Sequence, residues 1–251
     1  MEPIRINKFL SERGIASRRE ADKLIEEQRV TVNGALSSPG QKVTEQDEIR
    51  IDGRPVNREA PRKVIIALYK PEGVVSTTRS FRNETNVVEL VHYPEKLYPV
   101  GRLDKDSEGL IFLTNDGTFA AKVTDASLYH EKEYEVRVNK ELTGHFLERM
   151  SKGVFLQELN RQTATCRVEK IDPYRFRIIL TQGLNRQIRR MCETLGYEVR
   201  SLKRVRIMNV ILGDMKAGEY REISGEERKK LVTAAAGKEA PRSFGGRNER
   251  G

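Results

Sequence analysis

Residues 98–114 read YPVGRLDKDSEGLIFLT and predict a strand, a tight polar turn and a second strand. Val100 and Leu103 precede the centre of the turn, and an unbroken apolar run over residues 110–113 follows it. A run of that kind indicates a buried strand. The rest of the chain is expected to be organised around this pair of strands, whose turn is crowded with charged side chains.

Asp104 is the most demanding residue of that turn, because it directly follows Leu103. A carboxylate beside a buried strand is costly unless it is paired or hydrogen-bonded. Two interpretations are open on this basis alone. Asp104 either bonds the amides of the turn, which is a common role for aspartate, or takes part in chemistry.

The composition favours a polyanionic partner. The chain has 251 residues, of which 33% are charged and 37% hydrophobic, and its net charge is +9. Such a basic excess indicates binding to nucleic acid or to an acidic membrane surface, although a merely soluble basic protein also has it. No segment approaches the roughly 20 apolar residues of a membrane helix. We therefore expect a soluble, cytoplasmic protein that has no membrane partner.

The cysteines and histidines do not predict a metal site. Cys166 and Cys192 are far apart and lack CxxC spacing, and the three histidines are scattered. Metal sites usually bring such ligands together at short, regular spacings. We expect both cysteines to be reduced, as in cytosolic proteins.

Residues 1–51 are expected to form a small separate domain. A first short helix ends near Gly14, and SRRE from Ser17 fits a capping box that opens a second helix. The string VTVNG over residues 30–34 predicts a strand that enters a hairpin turn. The basic residues at the second helix start could bind phosphate, since free amides and arginines both suit an anion, or could simply form a solvated charged face.

The remaining chain divides into three parts. Residues 52–63 hold two prolines and few apolar residues, which predicts a linker. Residues 64–236 alternate buried strands with short helices and are expected to form a larger domain. Residues 237–251 are basic and almost without apolar side chains, so a disordered tail is predicted.

Three strings in the larger domain resemble motifs of the pseudouridine synthases. GRLDKDSEGL (101–110) is similar to the family signature GRLDxxTxGL, with Ser107 in the place of the usual threonine. KEY (132–134) and GLNRQIRRM (183–191) resemble two further motifs. Together with RIMNV (206–210), they are most similar to the RluF type within the RsuA-like branch.

The first domain resembles the αL RNA-binding motif of the ribosomal S-four type, through RINKFLSERGIASRREADKLIEEQRVTVNG (5–34). The two resemblances imply an α+β fold in which an RNA-binding domain precedes a catalytic domain. The sheet of the catalytic domain is expected to be mixed, mainly antiparallel and flanked by helices.

The resemblance also implies roles for individual residues. Asp104 would be the catalytic carboxylate, Tyr134 would pack against the uracil, and Arg189 would pair with Asp104. Arg102 would fill the space left by a flipped uridine. The other residues expected to bind RNA are Arg5, Lys8, Ser17, Arg18, Arg19, Arg186 and Arg190.

The implied reaction converts a uridine of ribosomal RNA, expected to be that of the large subunit, into pseudouridine. It is an isomerisation, so neither a cofactor nor a metal is expected. One alternative is the same chemistry on transfer RNA or on both RNAs. An alternative of another class is a ribosome-assembly factor that binds RNA without turnover. We expect the protein to be a monomer.

Overall fold

The structure is a computed structural model, and it describes residues 2–56, 59–80 and 82–237. These residues form two compact units. The first unit holds the chain up to Val64, together with residues 93–97 and 115–117, and the second unit holds the remainder.

The first unit contains two helices and two small antiparallel sheets. Its helices are α1 (Ile6–Glu12) and α2 (Arg18–Glu26). Its strands are β1 (Ile4–Arg5), β2 (Val30–Val32), β3 (Ala35–Leu36), β4 (Lys42–Val43), β5 (Ile49–Ile51) and β6 (Arg54–Pro55). Strands β1 and β4 pair with each other, and the other four lie in the order β3-β2-β5-β6. Apolar side chains from both helices and from the sheets form one buried core.

Local sequence signals determine where the elements of this unit begin and turn. Ser17 and Glu20 form the predicted capping box, in which each side chain accepts a hydrogen bond from the backbone N–H of the other residue. Asn33 and Gly34 both have positive φ, 52° and 84°, and connect β2 to β3. Two successive residues of that conformation form the turn that matches the twist of a hairpin.

The small sheet extends into the stretch that the sequence predicts to be a linker. Asp52 and Gly53 form a second tight turn with positive φ, and β6 then pairs with β5. The two prolines favour a linker in the sequence, because proline is rare inside strands. Pro55 is tolerated in β6 because this strand lies at the edge of the sheet, where the missing N–H is not needed for pairing.

The second unit is built on a nine-stranded sheet. Its strands are β7 (Ile65–Lys70), β8 (Tyr98–Val100), β9 (Glu108–Thr114), β10 (Lys132–Val138), β11 (Phe155–Leu156), β12 (Arg161–Gln162), β13 (Arg167–Asp172), β14 (Arg175–Leu180), β15 (Val199–Ile207), β16 (Val210–Ile211) and β17 (Tyr220–Glu222), of which β11 and β12 form a separate pair. The sheet order is β13-β14-β10-β15-β9-β7-β17, with β8 added to β9 and β16 added to β15. Strands β15 and β9 pair in parallel and the other pairs are antiparallel, which confirms the predicted mixed sheet.

Helices pack on this sheet to form two cores. The helices are α3 (Val87–Val91), α4 (Gly117–Thr124), α5 (Gly144–Lys152), α6 (Gln187–Thr194) and α7 (Gly225–Ala235), with single 3₁₀ turns at Ala126–Leu128 and Gln157–Leu159. Helices α5 and α6 contribute to a core with β10, β14 and β15. Helices α4 and α7 contribute to a core with β7 and β9.

Strands β8 and β9 confirm the predicted strand pair of the central stretch. Gly109 in β9 lies against the parallel strand β15 so closely that a Cβ would stand 2.3 Å from the carbonyl oxygen of Arg204. Its φ of 112° also favours glycine. The turn that carries Asp104 is therefore held directly beside β15.

Among the described residues, no helix combines the length and the apolar character that a membrane crossing requires. Most of the tail predicted from residue 237 onward, beginning with residue 238, lies outside the described residues.

Candidate active site

The turn between β8 and β9 forms one wall of a cavity of about 460 Å³ in the second unit. The other walls come from strands β10 and β15, from the loop that precedes α6, and from residues 123–126 at the end of α4. The charged and aromatic side chains that line it include Arg102, Asp104, Lys132, Tyr134, Arg186 and Arg204. Three residue types are thus brought together: the carboxylates of Asp104 and Asp125, a flat aromatic ring and several cations.

Hydrogen bonds from a neighbouring segment hold the turn in place. Ser76 Oγ donates to the carbonyl oxygen of Leu103 at 2.8 Å and accepts from its N–H at 3.1 Å. The N–H of Gly73 donates to the carbonyl oxygen of Lys105 at 2.8 Å. Within the turn, the N–H of Ser107 donates to the carbonyl oxygen of Asp104 at 3.1 Å. The backbone on both sides of Asp104 is therefore fixed.

The predicted pairing of Arg189 with Asp104 is wrong, because Arg189 contacts Asp106. Its Nε lies 3.3 Å from Asp106 Oδ2, and its Nη2 donates to the carbonyl oxygen of Asp106 at 2.6 Å. On the other side of the guanidinium group, Nη1 donates a hydrogen bond to the carbonyl oxygen of Val199 at 3.4 Å. The chain turns between residues 104 and 107, and this turn brings the second aspartate towards α6.

Arg186 is the cation whose contact with Asp104 the structure records, with Nη1 3.9 Å from Oδ2. Its main partner is Asp106, which accepts two hydrogen bonds at 3.2 and 2.9 Å. Partial burial raises the pKa of Asp106, but the hydrogen bonds from Arg186 and the charge of Arg189 outweigh it and hold the pKa below the ordinary value. Asp106 thus joins two arginines beside Asp104, a role that sequence reasoning missed.

Ser107 is part of the same network. It is buried, its Oγ accepts a hydrogen bond from Arg189 Nη2 at 3.3 Å, and it also contacts Asp106 Oδ1. A hydroxyl in a turn often bonds the local backbone, but the recorded partners of this one are side chains. A threonine at this position would offer the same hydroxyl.

Tyr134 lies on β10 with its side chain on the cavity face. In the pairing of β10 with β15, Tyr134 is opposite Arg204. Residues opposite each other in an antiparallel pair present their side chains to the same face, about 5 Å apart at Cβ. Arg204 was not among the predicted site residues, because only the strand register reveals its position.

Two lysines close to the site have lowered pKa values. Burial, together with the charge of Arg204, lowers the pKa of Lys132 to about 8. Burial also lowers the pKa of Lys70 to about 8, partly offset by the nearby carboxylates of Glu72, Asp106 and Asp104. The Lys70 ammonium is occupied, because it donates to the carbonyl oxygens of residues 71 and 74 at 2.8 and 2.9 Å. Lys132 is therefore the lysine that the cavity presents.

The other predicted site residues have different surroundings. Arg102 is exposed at the edge of the cavity. Arg190 forms an ion pair with Glu158 and donates to the carbonyl oxygen of Asn185 at 3.1 Å, so part of its charge is already compensated. Any contact of Arg190 with RNA would have to compete with these partners.

The first unit presents its predicted RNA-binding residues at two places. Arg18 and Arg19 are exposed in the first turn of α2, and Ser17 caps that helix. Arg5 is exposed on β1, whereas Lys8 forms an ion pair with Glu12 at 3.7 Å. Among the described residues, no ion pair is recorded for either arginine of α2, so both remain available to an anion.

Comparison with known proteins assigns the class. A model of the RNA pseudouridylate synthase family matches residues 64–194, and a model of the S4 domain matches residues 4–49. The chain therefore belongs to the pseudouridine synthases, and it carries an S4 RNA-binding domain before the catalytic domain. It is an isomerase that forms pseudouridine in RNA, which removes the alternative of an assembly factor without turnover.

Within the family, the chain is similar to the dual-specificity RNA pseudouridine synthases RluF. It is 49% identical to that of Salmonella typhi over 89% of this chain and 76% of the relative, and 48% identical to that of Escherichia coli over 89% and 77%. The ribosomal large subunit pseudouridine synthase B of Bacillus subtilis is 36% identical over 92% and 96%. A crystal structure of a pseudouridylate synthase superimposes with a TM-score of 0.67 at 28% identity, over 91% of this chain and 99% of that one.

Proposed function

We propose that the reacting uridine binds in the cavity beside Asp104 and that this carboxylate takes part in breaking the bond between uracil N1 and the ribose. A carboxylate can attack as a nucleophile or stabilise a cationic sugar. The observation that carries the proposal is the position of Asp104 on a turn fixed from both sides, at the wall of a cavity that also presents Tyr134. The reaction moves a bond within one nucleotide and transfers no group from outside.

The surrounding residues have distinct roles in this proposal. Tyr134 offers a flat face against which the uracil stacks. Arg186 supplies positive charge close to Asp104, while Arg189 positions the turn through Asp106 and its backbone. Arg102 fills the space that the uridine leaves when it is flipped out of a helix, a step that costs a few kcal/mol.

The S4 domain is proposed to hold the RNA. The exposed arginines at the start of α2, and the amides of its first turn that the capping box does not use, suit phosphate groups. Arg5 and Lys8 would add further phosphate contacts, and Arg190 would do so only after release from Glu158. Such contacts position the RNA without reading its sequence.

We propose ribosomal RNA of the large subunit as the substrate. The name of the Bacillus subtilis relative supports this, since that protein is called a large-subunit enzyme. Transfer RNA is a second candidate, because the RluF relatives are named dual-specificity enzymes. We further propose that the protein acts as a monomer. A cytoplasmic location would give access to both RNAs.

Pseudouridine mapping in cells that contain and lack the protein tests this proposal. We expect a uridine of large-subunit RNA to lose its modification when the protein is absent and to regain it with the wild-type chain. Asp104→Asn should not restore it, because an amide is neither a nucleophile nor a strong counter-charge. Asp172→Asn removes a carboxylate at a distant turn and should restore it. Modification by Asp104→Asn would contradict the role of Asp104, and loss confined to transfer RNA would establish the second candidate.

A further inference from the structure

Arg204 is a buried cation at the cavity for which no carboxylate partner is recorded among the described residues. It is 4% exposed, and its Nε donates to the carbonyl oxygen of Leu110 at 2.6 Å. Its Nη1 donates to the carbonyl oxygen of Arg102 at 3.4 Å, but its buried Nη2 has no hydrogen-bond partner. Buried charges are normally paired and fully hydrogen-bonded. Because Arg204 lines the cavity, an acceptor group on a bound ligand could supply the missing hydrogen bond.

Lys132 is a second cation on the same wall. Its Nζ donates to the carbonyl oxygen of His130 at 3.2 Å, and no ion pair is recorded for it in the described part of the chain. The charge of Arg204 contributes to its lowered pKa, which places the two cations in mutual range. Two neighbouring cations repel each other, so a site that keeps both is suited to negative charge.

The strand register places both cations next to the proposed stacking residue. Tyr134 is opposite Arg204, and Lys132 lies two residues before it on the same face of β10. All three line the cavity together with Asp104. A uracil that stacks on Tyr134 would thus have its polar edge within reach of both cations.

The reaction generates negative charge on the uracil. When the bond from N1 to C1′ breaks, its electron pair stays with the base, and the charge spreads over O2 and O4. If the carboxylate instead adds to C6, the charge develops on O4. In the addition route, the bond from N1 to C1′ breaks after the addition. In both routes C5 then bonds to C1′, the carboxylate leaves any carbon to which it had bonded, C5 loses its proton and N1 gains one. Neither Asp104 nor Tyr134 supplies positive charge for this anion.

We propose that Arg204 and Lys132 form a subsite that binds the carbonyl oxygens of the uracil and stabilises their negative charge during the reaction. Prearranged donors aimed at developing charge are among the largest contributions to enzymatic rates. The inference rests on the proposal that this cavity holds the reacting uridine.

Single-turnover rates on two RNAs that differ in one atom test the subsite. One RNA carries uridine at the target and the other 5-fluorouridine. The readout is loss of the target nucleotide, which reports the steps up to the new bond from C5 to C1′, because the fluorinated base has no C5 proton to lose afterwards. Arg204→Gln and Lys132→Gln should each slow the uridine RNA by about 100- to 1000-fold, the usual effect of removing a donor to an oxyanion. Fluorine withdraws electrons and already stabilises the base anion, so the same variants should lose clearly less on the fluorinated RNA.

The matched control is Lys203→Gln. Lys203 precedes Arg204 on β15, but its ammonium lies over the ring of Tyr69 and close to Glu108. Lys203 does not line the cavity, so this substitution removes a charge from the same strand and leaves the cavity unchanged. It should leave both rates near wild type. Because Arg204→Gln also loses a contact to β9, melting curves are measured for all variants, and Lys132→Gln carries the test if Arg204→Gln unfolds.

Each other outcome decides against the subsite. Equal losses on both RNAs would show that the cations only support the fold, and normal rates for both variants would show that they are not needed. The Asp104→Asn variant tests separately whether the cavity is the active site. If that variant is inactive while Arg204→Gln and Lys132→Gln are normal, the subsite alone is refuted. If Asp104→Asn is active, the assignment of the cavity is refuted.

Discussion

Arg102 is the residue at which two kinds of RNA contact can be separated. It is exposed at the edge of the cavity, and its backbone oxygen accepts a hydrogen bond from Arg204. If its side chain fills the gap left by a flipped uridine, Arg102→Ala raises the cost of extrusion. That cost is largest where the base is stacked and paired. We expect a large loss of rate on folded RNA and a much smaller loss on a short flexible strand that holds the same target.

Single-turnover rates on the two RNAs, at low and high salt, measure this difference. Lys105→Ala is a suitable comparison, because Lys105 lies in the same turn but pairs with Glu84 at 2.8 Å. Equal losses for Arg102→Ala on both substrates, together with a strong dependence on salt, would identify a phosphate contact and exclude the filling role.

Residue types in the site could be predicted, but their partners could not. The string from Gly101 to Leu110 identifies Asp104, and the Gln-Ile-Arg string identifies Arg189. The sequence cannot tell whether Arg189 meets Asp104 or Asp106, because that choice depends on how the turn between them folds against a helix more than 80 residues away. Arg204 was missed for a related reason, since its place beside Tyr134 follows only from strand register.

At the scale of elements, the segment after β7 holds the turn that carries Asp104 through hydrogen bonds from Gly73 and Ser76, and we call these two residues the clamp. Ser76 makes two hydrogen bonds to Leu103, the residue immediately before the carboxylate. Ser76→Ala removes both and leaves the backbone of Leu103 without these partners. We expect the free energy of unfolding to fall by about 1–3 kcal/mol. We also expect kcat to fall by about 10- to 100-fold, because small displacements of a reacting group are costly.

Ser76→Thr keeps the hydroxyl and should restore most of the rate. Thr77→Val removes a neighbouring hydroxyl whose recorded partner is the N–H of Arg79, so it should leave kcat unchanged. RNA affinity, measured separately by filter binding, should be close to wild type in all three variants. A Ser76→Ala enzyme with normal kcat would show that the turn holds its shape without the part of the clamp that Ser76 supplies.

Elements whose signals are local could be predicted well. The capping box at Ser17 and the hairpin at Asn33 depend on contacts between residues that are close in sequence, and both are present. The string SGEE from Ser224 also fits a capping box, and helix α7 begins there, but the serine side chain makes no capping hydrogen bond. Gly225 has a φ of 54°, so the backbone enters this helix in an unusual way that the sequence pattern does not reveal.

At the scale of the whole molecule, the basic side chains fall into two groups. Some form ion pairs within the protein, and others remain available to bind RNA. Many of its cations are already paired with carboxylates, as Arg177, Arg206 and Arg221 are. The 46 lysines and arginines of the chain therefore overstate how many phosphate groups the protein can bind. The cations expected to bind phosphate are those that form no ion pair with another described residue. Arg18 and Arg19 in the S4 domain are two of them.

Replacing both arginines by alanine should weaken binding to structured RNA and reduce its dependence on salt. Each phosphate contact contributes roughly 0.9 to the slope of log K against log salt concentration on a duplex, so the slope should become shallower by about 2. Lys152→Ala combined with Lys229→Ala removes the same charge from exposed ion pairs on the catalytic domain and serves as the control. Filter binding at several salt concentrations gives both slopes. If the two double variants change the slope equally, the effect is one of total charge, and α2 does not contact phosphate.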